Sequence, residues 1–140
     1  MHQLVQGELF VRLRAACPPG HVVFMAPIDY DLPSGDRVEP DLIVVPLSSI
    51  GEKRLEGPAL LVVEIASPGS KTNDFVTKRA AYAQAGIPAY WIIDPARNHI
   101  LALRLVDGQY QPYADTDGLL TLDWPPAVSF SVAELVRPPA

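Results

Sequence analysis

Residues 58–95 read PALLVVEIASPGSKTNDFVTKRAAYAQAGIPAYWIIDP. The run Ala59-Leu60-Leu61-Val62-Val63 is short, apolar and rich in β-branched residues, the pattern of a core strand. Ser67-Pro68-Gly69-Ser70 is a polar turn, the segment after it has helical spacing, and Tyr90-Trp91-Ile92-Ile93 is a second buried strand. A strand, a covering helix and a further strand make an α/β unit. Within it Glu64 stands between Val63 and Ile65. A carboxylate among apolar neighbours is costly to bury unless it is paired, protonated or bound to a cation. Glu64 therefore marks where chemistry is to be sought.

Outward from this unit the chain is built of short pieces. MHQLVQGELFVRLRAA predicts an amphipathic helix, with Leu4, Val5, Leu9, Leu13 and Ala16 on one face and Pro18-Pro19-Gly20 as its stop. His21–Met25 predicts a strand that resumes after Pro27 as Ile28–Leu32, and Pro33–Asp36 is a turn. Arg37–Val45 predicts one further strand, entered irregularly at Pro40, and Ser48–Gly57 a loop. His99–Leu105 and Gln109–Tyr113 form a hairpin across Val106-Asp107-Gly108, because Asp-Gly is a strong hairpin signal. Leu119–Trp124 is a short strand, Ser129–Leu135 a strand running into one helical turn, and Arg137–Ala140 a tail. Phe75, Val76, Ala80, Ala83 and Ile87 are expected on the sheet-facing side of the central helix, leaving Asp74, Lys78 and Tyr82 as a polar stripe.

The 140 residues fit one domain spanning 1–140, and 49% hydrophobic with 19% charged is a globular composition. The 15 prolines suit many short elements separated by firm turns. A formal net charge of −5 argues against a broad basic surface that grips nucleic acid by charge alone. Any phosphate chemistry needs a local patch or a metal. The lone Cys17 excludes an internal disulfide and favours a reducing, cytoplasmic setting. No signal-peptide pattern opens the chain, and no apolar run reaches the ~20 residues of a membrane span, so no membrane partner is expected.

Three features can act together. Asp41 follows Pro40 at the start of Leu42-Ile43-Val44-Val45, Glu64 lies at the end of a buried strand, and Lys78 lies on the helix after the Ser-Pro-Gly-Ser turn. Two carboxylates on neighbouring strands are hard-oxygen ligands for Mg2+, which keeps several waters, and a nearby lysine can orient a water or stabilise developing charge. Plainer roles stand beside these. Asp74 and Lys78 make an i,i+4 pair, Asp74 also suits a first helical turn, and Tyr82 suits packing. Ser67–Ser70 lacks P-loop spacing and reads as a helix-entry turn, while His2, His21 and His99 lack zinc-site spacing. A nucleotide-binding domain finds little support, since no glycine-rich phosphate loop follows an early strand.

The segments Glu39-Pro40-Asp41-Leu42, Val62-Val63-Glu64-Ile65 with Ser67-Pro68, and Asp74…Lys78…Tyr82…Gly86-Ile87-Pro88…Tyr90-Trp91-Ile92-Ile93-Asp94-Pro95 resemble the Uma-two family, endonucleases of the PD-(D/E)xK, restriction-endonuclease-like superfamily. The resemblance runs from about His2 to the last strands. It implies a restriction-endonuclease-like mixed β-sheet flanked by helices, with additional β hairpins, and a Mg2+-dependent site (Mn2+ as substitute) that hydrolyses DNA. Asp41 and Glu64 match the two acids of the superfamily motif and would hold the metal, with the Ile65 carbonyl as a further ligand. The motif lysine normally follows the second acid by two residues; Ala66 stands there, and Lys78 replaces it. Asp74, Tyr82 and His2 are supporting or substrate-binding candidates, His2 matching the family's early histidine. A homodimer would suit the cutting of two strands.

Relative to the family pattern, this chain opens at the first long helix, without the acidic Tyr-Glu-Leu-type segment that usually precedes it. With Ala66 and the acidic charge, this gives the alternative expectation: a catalytically degenerate member that keeps the fold for binding or assembly.

Overall fold

The computed structural model of the chain describes residues 1–69 and 72–137, the side chains of residues 72–74 excepted. The opening helix α1 (His2–Ala16) buries Val5, Leu9 and Leu13, spaced four apart along one face. It ends at Cys17, whose extended backbone leads into Pro18. The strands that follow are β1 (His21–Met25), β2 (Tyr30–Asp31), β3 (Arg37–Val38), β4 (Leu42–Pro46), β5 (Leu55–Glu56) and β6 (Leu61–Ile65). Helix α2 (Thr72–Gln84) connects β6 to β7 (Ala89–Asp94). The chain continues through β8 (His99–Val106), β9 (Gln109–Thr116), β10 (Leu119–Leu122), β11 (Val128–Ser131) and the single turn α3 (Val132–Leu135).

The fold is α/β. A six-stranded mixed sheet runs β1-β4-β6-β7-β8-β9. Within this sheet β6 and β7 pair in parallel, as a strand–helix–strand connection allows, and the other neighbouring pairs are antiparallel. The β8–β9 hairpin turns at Asp107 and Gly108, both at positive φ (51° and 79°), the geometry that the Asp-Gly pair accommodates.

Alternation along the strands divides the core. One face of the sheet carries Val44, Leu61, Val63, Trp91 and Ala102, and packs on α1, β10, β11 and α3. The other carries Ile43, Val45, Val62, Tyr90 and Leu103, and packs on Tyr82 and Ile87 together with Tyr30 and Leu55. Glu64 shares parity with Val62, and Asp41 with Ile43, so both acids belong to the second face.

Four expectations need correction. The segment Arg37–Val45 is not one strand: Pro40 lacks an N–H for ladder pairing, and the chain breaks into β3 and β4 in different sheets. Ile28–Leu32 does not resume β1; its short β2 joins β3 and β5 in a separate three-stranded sheet. The loop Ser48–Gly57 contains part of a 3-10 turn and β5. On α2, Val76 is 62% exposed and Ala80 is also exposed, whereas Tyr82 is fully buried. Tyr82, from the face expected to be polar, is turned toward the sheet, while Ala83 and Ile87 pack there as expected.

Candidate functional site

The register decides the site. Leu42 pairs with Val63, so one step further along the antiparallel ladder Asp41 comes opposite Glu64. The Ile65 N–H, at the end of β6, donates to Asp41 Oδ2 at 2.7 Å. Helix α1 grips the same residue from the other side. His2 Nε2 lies 3.1 Å from Asp41 Oδ1, and Gln6 Nε2, one helical turn on, donates to the Asp41 carbonyl at 2.9 Å. Asp41 is thereby fixed by elements far apart in sequence.

Glu64 is held from α2. Tyr82 Oη donates to Glu64 Oε1 at 2.7 Å, and Lys78 Nζ donates to Glu64 Oε2 at 3.3 Å. Residues 78 and 82 are one helical turn apart, so one helix face serves both oxygens. Glu64 is only 4% exposed. Burial raises its pKa above the ordinary carboxylate value; the Tyr82 hydrogen bond and the Lys78 charge oppose this, and the nearby Asp41 charge adds to it. Tyr90 packs edge-on against Tyr82, with ring centroids 5.1 Å apart at 79°. Burial first, then the Glu64 charge, pushes both phenols far above their ordinary value, so each keeps its proton at neutral pH.

Asp41, Glu64, Ile65 and Lys78 line a polar concavity of about 200 Å³, with His2 and Glu39 also on its wall. Five of the sequence candidates (Asp41, Glu64, Ile65, Lys78 and His2) thus meet at one place, with Tyr82 directly behind Glu64. The Asp74 side chain lies outside the described residues. Among the described residues, no group of three or more His, Cys, Asp or Glu side chains converges as a metal cage. The donor set is instead two carboxylates on the wall of a polar concavity with space for water. Hard oxygens supplemented by water are what magnesium accepts, so the residues fit that ion.

Nearly the whole chain matches a known family. A family model described as "Putative restriction endonuclease" (Uma2) matches residues 1–134. The chain belongs to the Uma2 family. A solved structure described as a "putative nuclease belonging to DUF820", from Anabaena variabilis, superposes with a TM-score of 0.72 at 17% identity, over 96% of this chain and 79% of that one. That likeness shows the restriction-endonuclease-like fold. A second, the "DrdV-DNA complex", is similar at a TM-score of 0.40 and 17% identity, over 82% of this chain and 12% of that one. A comparison with curated proteins found no match.

Two residues of this candidate site in the Uma2 chain escaped the sequence reading. Gln6 carried a usable signal, since it lies four residues after His2 and so on the same helix face. Glu39 had the same parity as Asp41, but Pro40 between them interrupts the strand and obscures the alternation.

Proposed function

We propose that the chain is a magnesium-dependent endonuclease that hydrolyses phosphodiester bonds in DNA. The reading is carried by one observation: in a member of a nuclease family, Asp41, Glu64 and Lys78 surround a single polar concavity. Asp41 and Glu64 are the carboxylates that would hold the ion, with Ile65 offering its carbonyl. When bound, magnesium supplies charge neutralisation at the phosphate and a water of lowered pKa.

The remaining work falls to the chain's own groups. Tyr82 fixes one oxygen of Glu64, so the other is directed toward Lys78. The Lys78 ammonium, 39% exposed at its side chain, can reach both Glu64 and an incoming oxygen, orienting the attacking water and stabilising the pentacoordinate charge. His2 and the Ile65 N–H hold the two Asp41 oxygens in place.

A second reading is favoured by a specific observation. All four carboxylate oxygens of Asp41 and Glu64 already have a protein partner, as they would in a degenerate member that retains the fold for binding or assembly. Cleavage of supercoiled and linear DNA with magnesium or manganese, in the parent and in Glu64→Gln, separates the two. Metal-dependent cleavage lost in the variant supports the nuclease. Absence of cleavage together with no metal-linked rise in melting temperature supports the degenerate member.

A further inference from the structure

Beside the polar concavity opens a second, larger cleft of about 860 Å³, in the size range of small-ligand sites. His2, Ser67 and Phe75 line both compartments, so the two are contiguous. Their chemistry differs. The concavity is walled by acids and a lysine, whereas the cleft has an apolar lining that includes Ala66, Pro68, Ile92 and Leu101. Phe75 stands at the junction as its aromatic wall.

The charges around the cleft do not suit a phosphate. Asp94 and Asp117 lie on it, and Arg97 is turned onto Asp94, its Nε 3.7 Å from Asp94 Oδ2. The neighbouring His99 pairs with Asp115. Across the whole chain 16 acidic residues outnumber 11 Lys and Arg, so the overall charge does not favour a phosphate there either. An apolar slot with an aromatic face, carboxylate acceptors and one guanidinium donor matches a heterocyclic base, which stacks on its faces and hydrogen-bonds at its edges.

We infer that this cleft takes an unstacked nucleobase next to the phosphate held in the concavity, so that the preferred substrate is single-stranded or locally opened nucleic acid. The inference rests on the nuclease reading of the adjoining site. An acidic chain has few means of gripping a long duplex by its phosphates, and binding one base through stacking gives hold without basic surface. A base inside an intact duplex is already stacked and paired, and reaching the cleft requires its extrusion.

The test uses the intact protein with short single-stranded DNA carrying 2-aminopurine at successive positions, in chelator, read by fluorescence. The expected result is a change at one position, with binding weakened about ten-fold in Phe75→Leu and for an oligonucleotide abasic at that position. Phe75→Leu stays apolar at a partly exposed position, so its fold is retained, and Phe75→Tyr should bind as the parent does. A uniform response along the strand, or Phe75→Leu and abasic binding equal to the parent, overturns the inference. Metal-dependent cleavage of the same oligonucleotides is scored separately. Cleavage without a position-selective signal overturns the base cleft and leaves the nuclease standing. A position-selective, Phe75-dependent signal without cleavage keeps the cleft and removes the nuclease.

Discussion

Tyr82 on α2 donates to Glu64 Oε1 on β6 at 2.7 Å, and both side chains are almost wholly removed from water. The bond favours the ionised carboxylate, lowering its pKa against the larger effect of burial. Removing the hydroxyl in Tyr82→Phe leaves a buried acceptor short of a donor, at a cost of roughly 1–3 kcal/mol at neutral pH. It also raises the Glu64 pKa further. Once Glu64 is protonated in both proteins the carboxylate-specific part of the loss disappears, so the two melting curves should converge in acid. Thermal denaturation of parent and variant across pH checks this; a pH-independent difference would show that the hydroxyl serves the protonated carboxyl as well as the ionised one.

Glu64 itself supplies a second pH-dependent prediction. Its folded pKa lies above the ordinary value of 4.5. Its contribution to stability is therefore fully present below that value and is lost as pH rises through the folded pKa. At neutral pH the buried acid is a burden that Glu64→Gln removes while keeping shape and an acceptor for Tyr82. In chelator, the variant should melt higher than the parent at pH 7 by on the order of 1 kcal/mol, or roughly 3 °C, with the gap closing near pH 4. A lower melting temperature for the variant at pH 7 would mean that the Lys78 pair outweighs the desolvation of Glu64.

The central helix gives a third. Val76 is 62% exposed, although its apolar character suggested a place against the sheet. Val76→Lys should therefore change stability by no more than about 0.5 kcal/mol, whereas Tyr82→Ala should cost roughly 3–5 kcal/mol. Chemical denaturation of both variants compares the two faces directly. A severe effect of Val76→Lys would restore the apolar stripe as the buried one.

That reversal shows what the sequence could and could not convey. Buried strands announced themselves through β-branched runs, as at Leu61–Ile65 and Ala89–Asp94, and the hairpin through Asp107-Gly108. Asp41, Glu64 and Lys78 were legible because acids and a lysine at those positions form a chemical pattern. The orientation of α2 was not, since a helix above a site turns its polar groups inward when a buried acid needs donors, and periodicity alone assumes the reverse. The spacing of Gln6 from His2 put it on the same helix face, but its partner, a backbone carbonyl 35 residues away, was not legible. Pro40 appeared as an irregular entry, but whether it bends one strand or divides two sheets depends on partners that local sequence does not name.

Lys78 is where the nuclease reading meets its sharpest test. Its ammonium donates to Glu64 Oε2 at 3.3 Å, yet its side chain is 39% exposed while that of Glu64 is 5% exposed, so it can serve the carboxylate and still reach solvent in the concavity. A purely structural lysine would matter through stability, and a partly exposed pair contributes little there, about 1 kcal/mol or less. A lysine that stabilises charge on the reacting phosphate would matter through rate, by about 10²–10³-fold for loss of one such donor. Lys78→Met keeps the aliphatic stem and deletes only the charge. We expect it to melt within a few degrees of the parent, to bind manganese in a calorimetric titration, and to lose metal-dependent cleavage by about two orders of magnitude or more, with partial recovery in Lys78→Arg. Parental cleavage in Lys78→Met would confine Lys78 to charge compensation at Glu64 and leave water activation to another group lining the concavity.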